Sequence, residues 1–164
     1  MATNMFMKLT NSIKGEAEDD FHKGWCEIKS LSQEFSNEAS LSKKDPKKKI
    51  VKAAHKELKI TKYVDQATTA ILKACWQGTR IKCVIIECFR ADGQNKALKY
   101  FGIRLDNVLI KNYELKSSEG DILEEDLELL GTKAEYTYRP MDKLLGTAKP
   151  RMIASHNLIE NIVS

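Results

Sequence analysis

Only one stretch of this chain carries a helical period, and the segments on either side of it alternate like strands. Between Lys52 and Arg90 the order reads strand, helix, strand. Asp65 stands where a short acceptor side chain would cap a helix N-terminus. Ala67, Ala70, Ile71, Ala74 and Cys75 then form the i, i+3, i+4, i+7, i+8 stripe of one buried face. Gly78 follows the last periodic residue, the usual place for a left-handed C-terminal cap. The expected helix is therefore Gln66 to Gln77, about three turns. Before it, Leu58, Ile60 and Val64 share one strand face and Lys59, Thr61 and Tyr63 the other. After it, Ile81, Cys83, Ile85 and Phe89 lie opposite Val84, Ile86 and Cys88, so both faces of that strand are apolar and both need cover. One cover would be the domain's own core, the other the helix or a neighbouring subunit.

The rest of the chain reads as strand and loop. Met5 to Thr10 alternates, and Trp25 to Phe35 forms a longer strand with Cys26, Ile28 and Ser30 on one face and Trp25, Leu31 and Phe35 on the other. From Ser36 to Lys49 the pattern stops in a polar, lysine-rich run of a length that is uncommon inside a compact domain. Ala91 to Asn95, with Asp-Gly at its tip, is a hairpin turn. Ala97 to Lys116 is one long strand whose apolar phase slips at Asp106-Asn107, as at a β-bulge. Ser117 to Asp121 turns the chain, Ile122 to Asp126 is acidic and mixed, and Thr132 to Arg139 alternates again. Met152 to Val163 supplies a weak terminal strand. The expected class is mainly β: a compact antiparallel β-barrel or two-layer sheet of roughly seven to nine strands, with one short flanking α-helix at Gln66–Gln77. Residues 1–164 read as a single domain.

Composition narrows function mostly by exclusion. With 27 Lys and Arg against 23 Asp and Glu, the net charge of +4 does not by itself imply a nucleic-acid partner. The lysines of the 36–49 run have no aromatic residues between them for base stacking, and Trp25 and Trp76 lie elsewhere. No basic start followed by an apolar run opens the chain, so no secretory signal peptide is expected. No stretch approaches the roughly 18 to 20 apolar residues of a membrane span, so stable membrane insertion is not expected either.

The four cysteines, Cys26, Cys75, Cys83 and Cys88, form no C-x-x-C pair and match no zinc spacing, which leaves them as free thiols packed like small apolar side chains. His22, His55 and His156 accompany no nucleophile motif. The acids Glu16, Glu18, Asp19 and Asp20 lack the order of a calcium loop, and Glu124-Glu125 read as a pair in a polar loop. The expectation is no catalytic residue, no metal, no cofactor and no enzyme.

Several strings taken together resemble a known family. Lys14-Gly15-Glu16, then Asp20, His22 and Trp25 ahead of Glu27-Ile28, resemble the N-terminal signature of Hcp, the haemolysin-coregulated tube protein of type VI secretion. Leu58 and Ile60-Thr61-Lys62-Tyr63-Val64-Asp65, followed by a short helix ending at Gly78, resemble its central segment. Leu105-Asp106-Asn107-Val108-Leu109-Ile110, then Tyr113, Ser117-Ser118, Gly120 and Tyr136-Thr137-Tyr138, resemble its distal half. Gly131 departs from the family, falling where a bulky apolar residue is usual. The run Lys43 to Lys49 is unusually rich in lysine, the tail after Pro150 matches poorly, and no extension is left for a fused toxin domain.

The resemblance implies a barrel subunit that assembles as a homohexameric ring. Rings of the family stack into a tube inside a contractile sheath, capped by a spike protein. The tube is expelled from the bacterial cytoplasm without a cleaved signal, and its lumen holds small effectors. An extended loop in the family reaches the neighbouring ring, and its counterpart here is Ser36 to Lys49. The expectation is that Lys43, Lys44, Lys47, Lys48 and Lys49 meet acids across the stack, with Glu16, Glu18, Asp19 and Asp20 as candidates. The alternatives are a phage-type tail-tube subunit and a small β-barrel nucleic-acid-binding module.

Overall fold

The structure, a computed structural model, describes residues 3–10, 12–37, 40–41, 49–50, 53–91, 96–117, 119–141 and 149–164. Along these residues run β1 (Thr3–Leu9), β2 (Cys26–Ile28), β3 (Ser30–Ser32), β4 (Phe35–Asn37), β5 (Ser40–Leu41), β6 (Lys49–Ile50), β7 (Ala53–His55) and β8 (Leu58–Tyr63). Then come α1 (Thr68–Gln77), β9 (Ile81–Ala91), β10 (Ala97–Lys116), β11 (Glu124–Leu130), β12 (Lys133–Tyr138), β13 (Met152–Asn157) and β14 (Ile162–Val163). The strand segments outnumber the expected seven to nine because runs that read as single strands are divided and because β5, β6 and β7 fall where no strand was expected. Trp25 to Phe35 breaks at Lys29, whose N–H turns to the Thr61 carbonyl, and the terminal strand folds back on itself at Asn161, where φ is 54°.

The break at Lys29 closes the barrel. β2 pairs antiparallel with β1 and β3 pairs with β8. From β8 the ladder runs through β11, β10 and β9 back to β1. Every pairing is antiparallel, so one face of the barrel wall lies inside and the other outside. Met7, Leu9, Cys26, Ile28, Leu58, Ile60, Val84, Ile86, Cys88, Ile103, Leu105, Leu127 and Leu129 fill the interior.

β10 serves two parts of the wall. Its first half lies between β9 and β12, and its second half pairs with β11. The expected phase slip is present: Ile103 and Leu105 are buried before it, Val108 and Ile110 after it. No residue is inserted there, however, since Asp106 pairs with Cys83 and Val108 with Ile81 in unbroken register. Asn107 instead takes a left-handed backbone, φ 52°, a conformation that Asn tolerates better than most residues. The register shifts fall on either side, at Lys99/Phe101 and Ile110/Asn112. Gly131 sits beside this bend. A Cβ there would stand 3.1 Å from the Asp106 carbonyl oxygen, so the departure from a bulky residue matches a corner where two backbones approach closely.

The helix covers the barrel with Ala67, Ile71 and Ala74, which join the core. It begins at Thr68 rather than Gln66, because Asp65 caps the turn before it: Asp65 Oδ1 accepts the Ala67 N–H at 2.9 Å and Thr68 Oγ1 accepts the Asp65 N–H at 3.0 Å. Gly78 closes it with φ 62° in the left-handed region.

Two charged side chains occupy interior positions: Lys62, which the alternation of its strand left without an assigned face, and Glu125, expected in a polar loop. Lys62 and Glu125 are both fully buried, paired across β8 and β11. Glu125 therefore lies in a strand wall, not in a polar loop. The Lys62 ammonium also bonds Asp65 at 2.9 Å and the Tyr63 carbonyl at 3.0 Å, and the Tyr113 hydroxyl donates to Glu125 at 2.5 Å. Burial by itself would lower the Lys62 pKa, but the bonds from Glu125 and Asp65 outweigh it and hold it above the ordinary value. This knot ties β8, β10 and β11 to the entry of the helix.

The Phe89 end of the second apolar face of β9 has cover within the chain. His22 lies over it, in a segment held by Gly15 N–H on the Gly24 carbonyl and Ala17 N–H on the Trp25 carbonyl. His22 is buried there, its ring stacked on Phe6 at 4.5 Å and edge-on to Phe89 and Trp25. Its two ring nitrogens face Asp19 at 2.6 Å and Glu87 at 2.8 Å. Burial works to raise the Glu87 pKa, yet Lys99 and His22 together hold it below the usual range.

Two outcomes test these packings. Lys62→Met leaves Glu125 buried without its cation and is expected to cost about 3–5 kcal/mol in urea unfolding, part of which Glu125→Leu in the same chain recovers. Because the folded lysine pKa is raised, this contribution is fully present below the unfolded value near 10.4 and disappears only as pH rises through the folded one. Gly15→Ala places a Cβ 2.4 Å from the Trp25 carbonyl oxygen, and the forced shift is expected to lower stability by about 1–3 kcal/mol, read from the same urea curves.

Candidate assembly surfaces

Two parts of the chain stand outside the closed barrel. One is a narrow ribbon: β4 pairs with β7 and β5 with β6, each as a separate two-stranded ladder. The stretch that read as a patternless run is thus a hairpin over its described residues. The other is the edge formed by β12, β13 and β14, which extends from the first half of β10.

The ribbon's base is held by polar and aromatic contacts. The Lys56 N–H bonds the Glu34 carbonyl at 3.0 Å, their side chains pair at 2.9 Å, and Gln33 Nε2 donates to the Lys56 carbonyl. The Tyr136 hydroxyl donates to Gln33 Oε1, and burial pushes its pKa up to about 12. Phe35 meets His55 and Tyr136 edge-on, at 5.0 and 5.4 Å between ring centroids. His55 Nε2 lies 2.8 Å from His156 Nδ1, and His156 Nε2 lies 3.0 Å from Asn161 Oδ1. The histidine contact joins residues 101 positions apart in sequence. Sequence reasoning missed it because neither histidine lies in a local motif, and the residues in phase with His156 on its strand, Met152 and Ala154, are exposed.

Of the residues expected at a ring-to-ring contact, Lys43, Lys44, Lys47 and Lys48 lie outside the described residues, and Lys49 is placed in β6 opposite Leu41. The four acids do not act alike. Glu16 Oε1 accepts the Gln66 N–H at 3.0 Å, and Asp19 is bonded by His22 and by the Phe21 N–H. The His22 hydrogen bond holds the Asp19 carboxyl below its ordinary value. Glu18 and Asp20 are exposed on the same turn, so the outward charge of the cluster rests chiefly on these two.

Apolar surface collects away from the barrel interior. On the β12–β14 edge Met152, Ile153, Ile162 and Val163 are exposed, with Ile159 76% exposed at the connecting turn. A second group, Tyr63, Leu115, Ile122 and Leu123, gathers where β8, β10 and β11 end beside one another. Trp76 on the helix and Phe21 on the 19–24 turn also face outward. The thiols have no such surface role: Cys26, Cys83 and Cys88 are buried, and desolvation raises Cys26 to about 12 and Cys88 to about 11, well away from a reactive thiolate.

Comparison with known proteins agrees with this architecture. A family model described as type VI secretion system effector, Hcp, matches residues 6–141. The chain is 28% identical over 141 residues to protein hcp1 of Pseudomonas aeruginosa, covering 85% of each. Its fold superposes on a solved structure of a type six secretion system protein with a TM-score of 0.85 at 23% identity, covering 99% of this chain and all of that one. It superposes on Hcp1 from Salmonella typhimurium with a TM-score of 0.78 at 21% identity, covering the whole of both chains. The family match spans well over half of the sequence and decides among the readings left open above. The chain belongs to the Hcp family of type VI secretion, a structural family of secreted tube proteins and not an enzyme family.

Proposed function

We propose that this chain is a ring-forming subunit of a type VI secretion tube. Six copies close head to tail, the rings stack, and the stack is expelled from the bacterial cytoplasm with small effectors in its lumen, beneath a spike protein and inside a contractile sheath. One observation carries the assembly reading beyond family membership: a barrel whose own core is already complete still exposes a β-edge studded with Met152, Ile153, Ile162 and Val163. An open edge with apolar side chains is a liability for a lone chain and becomes useful when a second copy covers it. A head-to-tail ring needs two different surfaces on each copy, and the group around Tyr63, Leu115, Ile122 and Leu123 is a second surface at the other end of the sheet path.

The ribbon is the element that reaches the next ring. Lys49, together with Lys43, Lys44, Lys47 and Lys48, meets acids across the stack, and Glu18 and Asp20 are the receptive pair because Glu16 and Asp19 already serve their own chain. Several exposed ion pairs at about 0.2–1 kcal/mol each make such stacking reversible, whereas the apolar contact within a ring is much less sensitive to salt.

Two measurements test this division of labour. Ile162→Asp with Val163→Asp is expected to convert rings to single chains in sedimentation velocity while the far-UV circular dichroism stays that of the folded barrel; rings that persist would overturn the role given to this edge. Raising salt from about 0.05 to 0.5 M shortens the Debye length severalfold and is expected to separate stacks into intact rings. Glu18→Ala with Asp20→Ala should do the same at low salt. Stacks indifferent to both would remove the charge pairing from the mechanism.

A further inference from the structure

The contact between His55 and His156 has a property that neither the barrel nor the family match requires. His156 Nε2–H donates to Asn161 Oδ1, so the neutral ring presents a lone pair at Nδ1. That lone pair receives the Nε2–H of His55 at 2.8 Å, which in turn leaves His55 Nδ1 as an acceptor. Nδ1 of His55 is buried and bonded to nothing among the described residues. Every proton position in the pair is therefore fixed, and each further proton has a specific cost. On His156 it occupies the only acceptor that His55 uses, setting N–H against N–H. On His55 it creates a donor at Nδ1 that is buried with no acceptor. Either way a charge enters beside a second ring only 4.7 Å distant between centroids.

Among the described residues the surroundings offer no compensation. Ionisable groups around the pair are Tyr136 on β12, whose hydroxyl is given to Gln33; Lys56 and Glu34 at the ribbon base, paired with each other; and Glu160 on the β13–β14 turn, which accepts from Asn157. Phe35, from β4, offers only its ring edge. No carboxylate bonds either imidazole among the described residues. Burial first, and His156 second, hold the His55 pKa below its ordinary value.

We propose that the His55–His156 contact is an acid-released latch that fastens the base of the ribbon to the C-terminal hairpin. With both rings neutral the ribbon is held against β13. Once protons enter, the two rings part, and β4 and β7 lose one of their ties to the β12–β14 edge, leaving the contacts of Tyr136 with Phe35 and Gln33. The sign follows from the depressed pKa: the latch is closed above the unfolded histidine value near 6.5 and opens as pH falls through the lower folded value. Under the ribbon-stacking reading, on which this consequence rests, acid would also loosen one ring from the next.

Hydrogen exchange followed by mass spectrometry on the full chain tests the latch directly. After correction for intrinsic rates, opening of the β4–β7 ladder is expected to rise severalfold between pH 7.5 and about pH 5.0. In His55→Gln, which cannot titrate, this acid dependence is expected to vanish; should that variant fail to fold by circular dichroism, His156→Gln makes the same comparison. Unchanged protection in the wild type at pH 5.0, or an equal acid effect in the folded glutamine variants, overturns the latch. Sedimentation of the same samples separates the two ideas: a ladder that opens while stacks stay intact supports the latch and overturns the stacking role of the ribbon.

Discussion

The structure depends on one strand belonging to two parts of a barrel wall. β10 is long enough to pair with β9 and β12 along its first half and with β11 along its second. A straight strand that long would turn the wrong side chains inward beyond its middle, because side chains alternate strictly. Asn107 prevents this by adopting a left-handed backbone, so that Leu105 and Val108 both reach the core although they are three residues apart. Residue count across the ladder to β9 stays unbroken there, and the correction is therefore conformational. The same bend brings Asp106 against Thr132 and would hold a Cβ at Gly131 only 3.1 Å from the Asp106 carbonyl oxygen. A phase slip in the sequence, a positive φ and a tight corner are one event seen at three levels.

Closure then sets the problem that Lys62 and Glu125 solve. β8 and β11 end beside the entry to the helix, where backbone and side-chain polar groups crowd into the wall. Placing an ion pair there is costly in desolvation, and hydrophobic replacements of such pairs elsewhere often do as well or better. Here the ammonium is used three times, by Glu125, Asp65 and the Tyr63 carbonyl, and the carboxylate also takes the Tyr113 hydroxyl. Asp65 in turn caps the turn before the helix. The pair therefore specifies where the helix leaves the wall, a task that a methionine in the same space could not perform.

What was legible in the sequence was whatever repeated with a fixed period. The helix stripe and its Gly78 stop, β8, β9, and β10 with its slip all followed from spacing alone. Lys62 and Glu125 were missed together, because the charge that ends each apolar alternation was not carried onto the apolar face. Leu58-Ile60-Lys62 and Glu125-Leu127-Leu129 are each an apolar alternation with a charge at one end, and the two charges have opposite sign. That pairing of signs was the available signal, and it was lost by treating Glu124-Glu125 as loop. The break at Lys29 was illegible for a different reason. The inward face changes phase there, from Cys26 and Ile28 before the break to Leu31 after it, while Ser30 is exposed, and the change of partner strand is what accounts for it. Long-range polar contacts such as His55 with His156 leave no periodic trace at all.

The ribbon and the C-terminal hairpin are where these two kinds of information meet. Neither is part of the closed wall, and neither has the continuous apolar period that fixes β8 through β10. Each is instead secured by individual polar contacts: Glu34 and Lys56 across the ribbon base, Asn157 accepting the Ile159 and Glu160 N–H groups at the hairpin turn, and the imidazole pair between them. Hydrophobic burial holds the wall with little dependence on pH or salt, whereas contacts of the second kind respond to both. A subunit built this way separates its tasks by type of force. Its wall can persist under conditions that loosen the ribbon and the hairpin, because these two elements are fastened by interactions weak enough to be adjusted one at a time, which is what the assembly proposed above would require of them.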